Sequence, residues 1–161
     1  MSAVIDDLII EIDAISSLDD EASLARLEQL VAAYFLHPQA DRYIDVWFRM
    51  YERFPEHDAF GIFWSVLHGL EKQLGCPIHV VQSVQRAPSS FAVRMLARIA
   101  NSGMSRIADI DLVDLMDQVS KNQRAPESVR DQAREYLASS GAGPNNKLQR
   151  PRGAASERAD G

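Results

Sequence analysis

Residues 57–74, HDAFGIFWSVLHGLEKQL, decide the fold. Phe60, Phe63, Leu67, Leu70 and Leu74 recur at helical spacing, with Ile62, Trp64 and Val66 on the flanks. The stretch therefore reads as one long helix with almost no face for water. Such a helix belongs at the centre of a fold. Gly61, Ser65 and Gly69 fall at i, i+4 and i+8, a strip of small side chains along which a second helix can approach. Each glycine inside a helix costs roughly 1 kcal/mol relative to Ala, and close packing is the expected return. His68 and Glu71 stand one turn apart on this helix and need partners or an outlet to the surface.

Outward from this stretch, every periodic segment is helical and no alternating β-branched run appears. A first helix is expected over about 3–16, carrying Val4, Leu8, Ile12 and Ile15, and a second over about 20–36, ending before Pro38. The third runs from Asp41 to about Arg53 with Ile44, Trp47, Phe48 and Tyr51 inward. The central helix is the fourth, and Gly75 is expected to end it. Pro77 opens a fifth to about Gln85 with Ile78, Val81 and Val84 inward. Helix 6 covers about Ser90 to Asn101 and ends at Gly103, helix 7 spans about Asp109 to Lys121, and Pro126 opens an eighth reaching about Ala138.

A weak repeat suggests how these helices stack. APSSFAVRMLARIANSG (87–103) and APESVRDQAREYLASSG (125–141) align without gaps, both opening with Ala-Pro and closing with Ser-Gly. Their offset lies near the period of helical-hairpin repeats, in which each hairpin buries its apolar face on the next. The expectation is an all-α domain over 1–138, about eight helices stacked as antiparallel hairpins in HEAT-like fashion. From Ser139 the composition turns to SSGAGPNNKLQRPRGAASERADG, whose only large aliphatic residue is Leu148, and a disordered C-terminal tail over 139–161 is expected. Lys147, Arg150, Arg152 and Arg158 could alternatively make it a basic contact tail.

At 161 residues the chain suits one domain with a real core. Its single cysteine, Cys76, cannot form an internal disulfide, the N-terminus MSAVIDDLIIEID lacks a basic start, and no apolar run approaches membrane-spanning length. These features point to the cytoplasm and to no membrane partner. The net charge of −6 is uneven, since residues 1–75 hold 14 Asp/Glu against 5 Lys/Arg, a local −9. That sign is wrong for gripping phosphates, so no nucleic-acid partner is expected; a basic protein fits better.

Catalytic motifs are not apparent: there is no Gly-rich phosphate loop, no HExxH and no nucleophile elbow. His68 and Glu71 could both face one metal, but no second such pair supplies further ligands, so neither metal nor cofactor is expected. A structural polar cluster of His68, Glu71, Arg98 and Asn101 is the preferred reading, with Arg98 as the partner of a buried Glu71 if helices 4 and 6 are neighbours. Arg94 shares its side of helix 6 with Arg98 and Asn101. Trp64 is expected in one core with Trp47, Phe63, Leu67, Leu70 and Leu96, or else as an exposed binding anchor.

Asp41, Asp45, Glu52 and Glu56 return to nearly one azimuth on the expected third helix, with Arg49 at the edge of the arc. Asp6 and Asp13 add two acids seven residues apart on helix 1. Such a stripe can steer a basic partner, or can simply be the solvated side of an amphipathic helix.

DAFGIFWSVLHGLE, followed by SSFAVRMLARIANSG and the DLVDLM helix, resembles a group of small all-helical bacterial immunity proteins that guard cells against contact-dependent-inhibition and Rhs-type polymorphic toxins. The similarity covers about residues 55–120, through Gly61, Phe63, Trp64, His68, Gly69, Glu71, Arg98, Asn101 and Gly103. The resemblance implies a non-enzymatic function, stoichiometric binding of a cognate toxin C-terminal domain in the cytosol. It further implies that the toxin is often a nuclease, here an EndoU-type ribonuclease. The acidic stripe of Asp41, Asp45, Glu52 and Glu56 is the expected toxin-binding face. The competing expectations are a helical adaptor or regulator of another protein and, less well supported, a metal-dependent enzyme.

Overall fold

The computed structural model describes residues 4–140 and contains eight α-helices in that span: α1 (Ile5–Ala14), α2 (Glu21–Leu36), α3 (Asp45–Arg53), α4 (Ile62–Glu71), α5 (Cys76–Arg86), α6 (Ser90–Asn101), α7 (Leu112–Lys121) and α8 (Glu127–Ser139). Local chemistry sets their ends. Asp20 accepts from the Ser23 N–H at 2.7 Å to open α2, Ser89 caps α6 through Ala92, and Asp111 caps α7 through Asp114. Gly103, at φ +103°, takes the left-handed turn beyond the end of α6, where its N–H bonds the Ala100 carbonyl.

The helices sort into two rows. α1, α3, α5 and α7 pack side by side in one, α2, α4, α6 and α8 in the other, and the hairpins α1/α2, α5/α6 and α7/α8 bridge the rows. This is the stacked-hairpin arrangement expected from the sequence. The two repeat segments coincide with α6 and α8, which touch each other, and each Ala-Pro pair lies in the turn that opens the second helix of its hairpin. Between the rows lies a core in which Tyr34, Trp47, Phe48, Tyr51 and Phe63 are fully enclosed.

An aromatic knot joins three helices at its centre. Tyr51 of α3 donates its hydroxyl to the Phe63 carbonyl of α4 at 3.1 Å, and Phe91 of α6 meets the rings of Tyr51, Phe63 and Trp64 at 5.3–5.6 Å. Burial raises the Tyr51 phenol well above its usual pKa.

Several local expectations are corrected. The central helix is shorter than its periodicity implied, starting at Ile62 and ending at Glu71, so Phe60 (75% exposed) and Leu74 (100% exposed) lie outside it. His57 and Asp58 explain the late start: the His57 ring accepts from the Ala59 N–H at 2.8 Å and the Asp58 carboxylate from the Phe60 N–H at 2.9 Å, bonds that compete with helix. Gly61 sits at φ +92° before the helix, Ser65 is exposed, and only Gly69 makes the close approach foreseen for the small-residue strip. Gly75 precedes α5 rather than ending α4. Val4 and Ile78 are exposed, Ile5 taking the inward place at the start of α1. A two-residue antiparallel strand pair, β1 (Arg106–Ile107) with β2 (Ile110–Asp111), precedes α7 and was too short to leave a periodic signal. Residues 141–161, most of the expected tail, lie outside the described residues.

Candidate functional site

The acidic stripe does not exist as one helical arc. Asp41 belongs to a short 3-10 turn, Ala40–Arg42, and Glu56 lies beyond the end of α3, which Pro55 closes by disfavouring helix at Phe54. Asp45 and Glu52 remain on α3 but are turned toward α5 in the same row. Arg86 of α5 grips Glu52 through Nε at 2.6 Å and Nη2 at 2.8 Å, and reaches Asp45 at 3.3 Å. Arg49 joins Asp45 to Asp13 of α1 with both contacts at 3.0 Å, and the Arg53 guanidinium donates to the Ile12 carbonyl at 2.9 Å. Glu52 is only 11% exposed. Burial alone would raise the Asp45 pKa; the guanidinium groups of Arg86 and Arg49 outweigh it and hold the carboxyl below the usual range. These charges stitch α1, α3 and α5 together. Glu56 instead accepts from Ser128 of α8 at 2.5 Å, and the Asp41 side chain is exposed.

Of the expected polar cluster, His68, Glu71 and Arg98 meet between α4 and α6, on the surface. Arg98 donates to both Glu71 oxygens, Nε at 2.5 Å and Nη2 at 3.1 Å, and His68 Nδ1 lies 3.6 Å from the same carboxylate. Asn101 lines the open cleft beside them together with Glu71 and Arg98. The Arg98 and Glu71 side chains keep 47% and 33% of their area in solvent, so the pair is not the buried bridge anticipated. Its first effect is to lower the Glu71 pKa through the Arg98 hydrogen bond.

The α4/α6 ladder continues one turn further, toward the loop before α4. Trp64 is 36% exposed, unlike Trp47, Phe63, Leu67, Leu70 and Leu96, which are enclosed. Its ring lies 6.2 Å from that of His68 and 4.7 Å beneath the guanidinium carbon of Arg94, which also covers Phe91 at 5.6 Å. A continuous run of contacts therefore passes from Arg94 through Trp64, His68 and Glu71 to Arg98. Among the described residues, no hydrogen-bond acceptor or carboxylate pairs with Arg94, and its buried Nε has no partner.

Ahead of Trp64, Ala59, Phe60 and Gly61 occupy the left-handed region in succession, at φ +50°, +52° and +92°. For Ala and Phe this conformation costs on the order of 1–3 kcal/mol each. The outcome is Phe60 held out in solvent, its ring edge-on to His57 at 5.9 Å. Glu56, His57, Asp58, Trp64, Phe91 and Arg94 line a cleft of about 410 Å³ behind it. The sequence carried a signal for this loop that helical periodicity overrode: Asp58 and Gly61 are turn residues flanking Phe60.

Among the described residues no group of three or more His, Cys, Asp and Glu side chains could hold a metal ion, and no helix is long and apolar enough to cross a membrane. Comparison with protein-family models, with curated proteins and with solved structures found no match.

Proposed function

We propose that this chain is an immunity protein, a helical stack that neutralises a cognate toxin domain by stoichiometric binding rather than by turnover. The observation that carries the reading is Phe60, presented to solvent on a strained left-handed turn whose preceding residues His57 and Asp58 line a cleft with Trp64 and Arg94. Aromatic and arginine side chains concentrate the energy of protein interfaces, and backbone strain persists where a function requires it. Stacked helical hairpins offer extended surfaces for protein partners. The resemblance over 55–120 covers this loop and the α4/α6 ladder.

The acidic N-terminal half supports a basic partner, a nuclease domain in this reading. Of the four acids on the expected toxin-binding face, Asp41 and Glu56 have no arginine partner among the described residues. Asp45 and Glu52 would first have to release Arg86. The same surface would serve a helical adaptor, and genetic context separates the two readings. The test is co-expression with the toxin C-terminal domain encoded directly upstream: growth rescue and a 1:1 complex on size exclusion are expected. No complex and no rescue would reject the immunity reading.

A further inference from the structure

Three features around the loop before α4 point the same way. Phe60 is fixed outward by its backbone and by the His57 and Asp58 bonds to its flanking amides, so little freedom remains to be lost on docking. Arg94 lies over the Trp64 ring with its guanidinium carbon 4.7 Å from the centroid, and among the described residues it has neither an ion pair nor a hydrogen bond. The acids around it bond to other groups rather than to Arg94 and keep their charge, Glu56 accepting from the Ser128 hydroxyl and Asp58 from the Phe60 amide. Among the described residues, the guanidinium lining the cleft is thus the group left unanswered. A guanidinium offers a planar fork matched to a carboxylate.

We infer that Phe60, Trp64 and Arg94 form the anchor of a docking surface for a partner protein that presents a carboxylate side chain to Arg94 and, next to it, an apolar recess for Phe60. This deepens the immunity reading and rests on it. The partner's charge pattern follows from the cleft: one central acid facing Arg94, flanked by cations facing Glu56 and Asp58. That arrangement reconciles a specific acidic contact with a partner that is basic overall, because charge order along an interface sets register while net charge sets encounter.

The experiment measures affinity of the full chain for the toxin domain encoded upstream, using wild type and the variants Phe60→Gly, Arg94→Gln and Arg94→Lys. Phe60→Gly suits the left-handed turn and removes only the exposed ring, so a Tm within about 4 °C of wild type is expected together with a Kd raised at least about tenfold. Arg94→Gln should raise the Kd by about tenfold or more, with Arg94→Lys intermediate because it keeps charge but loses the planar fork. In a double-mutant cycle, one toxin Asp or Glu changed to its amide should lose no further affinity against Arg94→Gln.

Wild-type affinity in both Phe60→Gly and Arg94→Gln would overturn this surface while leaving the immunity reading standing. A wild-type chain that binds no toxin would remove both. Finding no toxin carboxylate coupled to Arg94 would overturn the assigned partner chemistry. So would a wild-type dimer in sedimentation that Phe60→Gly dissolves, since the occupant would then be a second copy of this chain.

Discussion

Arg98 clasps Glu71 through two guanidinium nitrogens across the α4/α6 boundary, at 2.5 and 3.1 Å, in a place where water reaches both side chains. The geometry is that of a strong pair, but the setting is that of a surface one. Screening by solvent therefore limits its worth, and Arg98→Ala or Glu71→Gln should each cost no more than about 1 kcal/mol. Chemical denaturation of both single variants and the double variant measures the coupling. A loss of several kcal/mol would show that the pair is buried in solution.

The Arg86 clasp on Glu52 is different, because Glu52 has little access to water. Among the described residues, Arg86→Ala leaves that carboxylate with only Ser83 as a hydrogen-bond donor, at 3.3 Å, and should destabilise by about 1–3 kcal/mol. Reversing Asp45 and Glu52 together to Lys should likewise lower thermal stability, since Arg86 and Arg49 would then face like charge. A melting curve unchanged by the double reversal would make this network dispensable.

Acid should weaken the same contacts. Asp45 and Glu71 have folded-state pKa values below their ordinary 3.8 and 4.5, so their contribution is complete above those values and is lost as pH falls through the lower folded ones. Stability measured by urea titration should be flat from pH 7 to about 5 on account of these two groups and decline below about 4.5. Amide replacement at both positions should flatten part of that decline.

Gly69 leaves the space that Phe35 of α2 fills. A methyl group on its backbone would come within 2.7–2.8 Å of the Phe35 ring, which is itself stacked on Trp47 at 5.8 Å. Gly69→Ala should therefore cost about 1–2 kcal/mol despite the gain in helix propensity. In a Phe35→Leu background the same change should be neutral or stabilising, and thermal melts of the four proteins test this.

At the alkaline end, burial raises the phenols of Tyr34 and Tyr51 and pushes the Cys76 thiol up to about 12, with the Glu71 charge a secondary cause. Groups whose folded pKa is raised contribute stability that is complete below the unfolded value and is lost as pH rises above it. For the two tyrosines that loss begins near pH 10 and for the thiol near 9. Native Cys76 should resist a thiol reagent at pH 8, and modification at the rate of a free thiol would contradict its enclosure.

Much of the helix order was legible in residues 1–138 because caps, prolines and apolar spacing act over one or two turns. α6 was read to its ends, since Ser89, Pro88 and Gly103 mark them locally. α4 was read too long, because Phe60 and Leu74 keep the helical period by coincidence while His57, Asp58 and Gly61 bend the backbone away from it. The Glu71 and Arg98 pairing followed from two charges on largely apolar helices; its exposure did not, because burial depends on what covers a helix from a third side.

The sequence by itself determined that this chain is a succession of amphipathic helices, that the segments 87–103 and 125–141 share a weak repeat, and that its acidity is N-terminal. Tertiary structure alone decided what the charges do. Helix rotation turned Asp45 and Glu52 toward Arg86, which is 34 positions from Glu52 in sequence and meets it because α3 and α5 pack as neighbours. It also left Arg94 over Trp64 without an ion pair among the described residues and set Phe60 in solvent. A charge's partner and a ring's exposure depend on distances between elements, which no local pattern encodes.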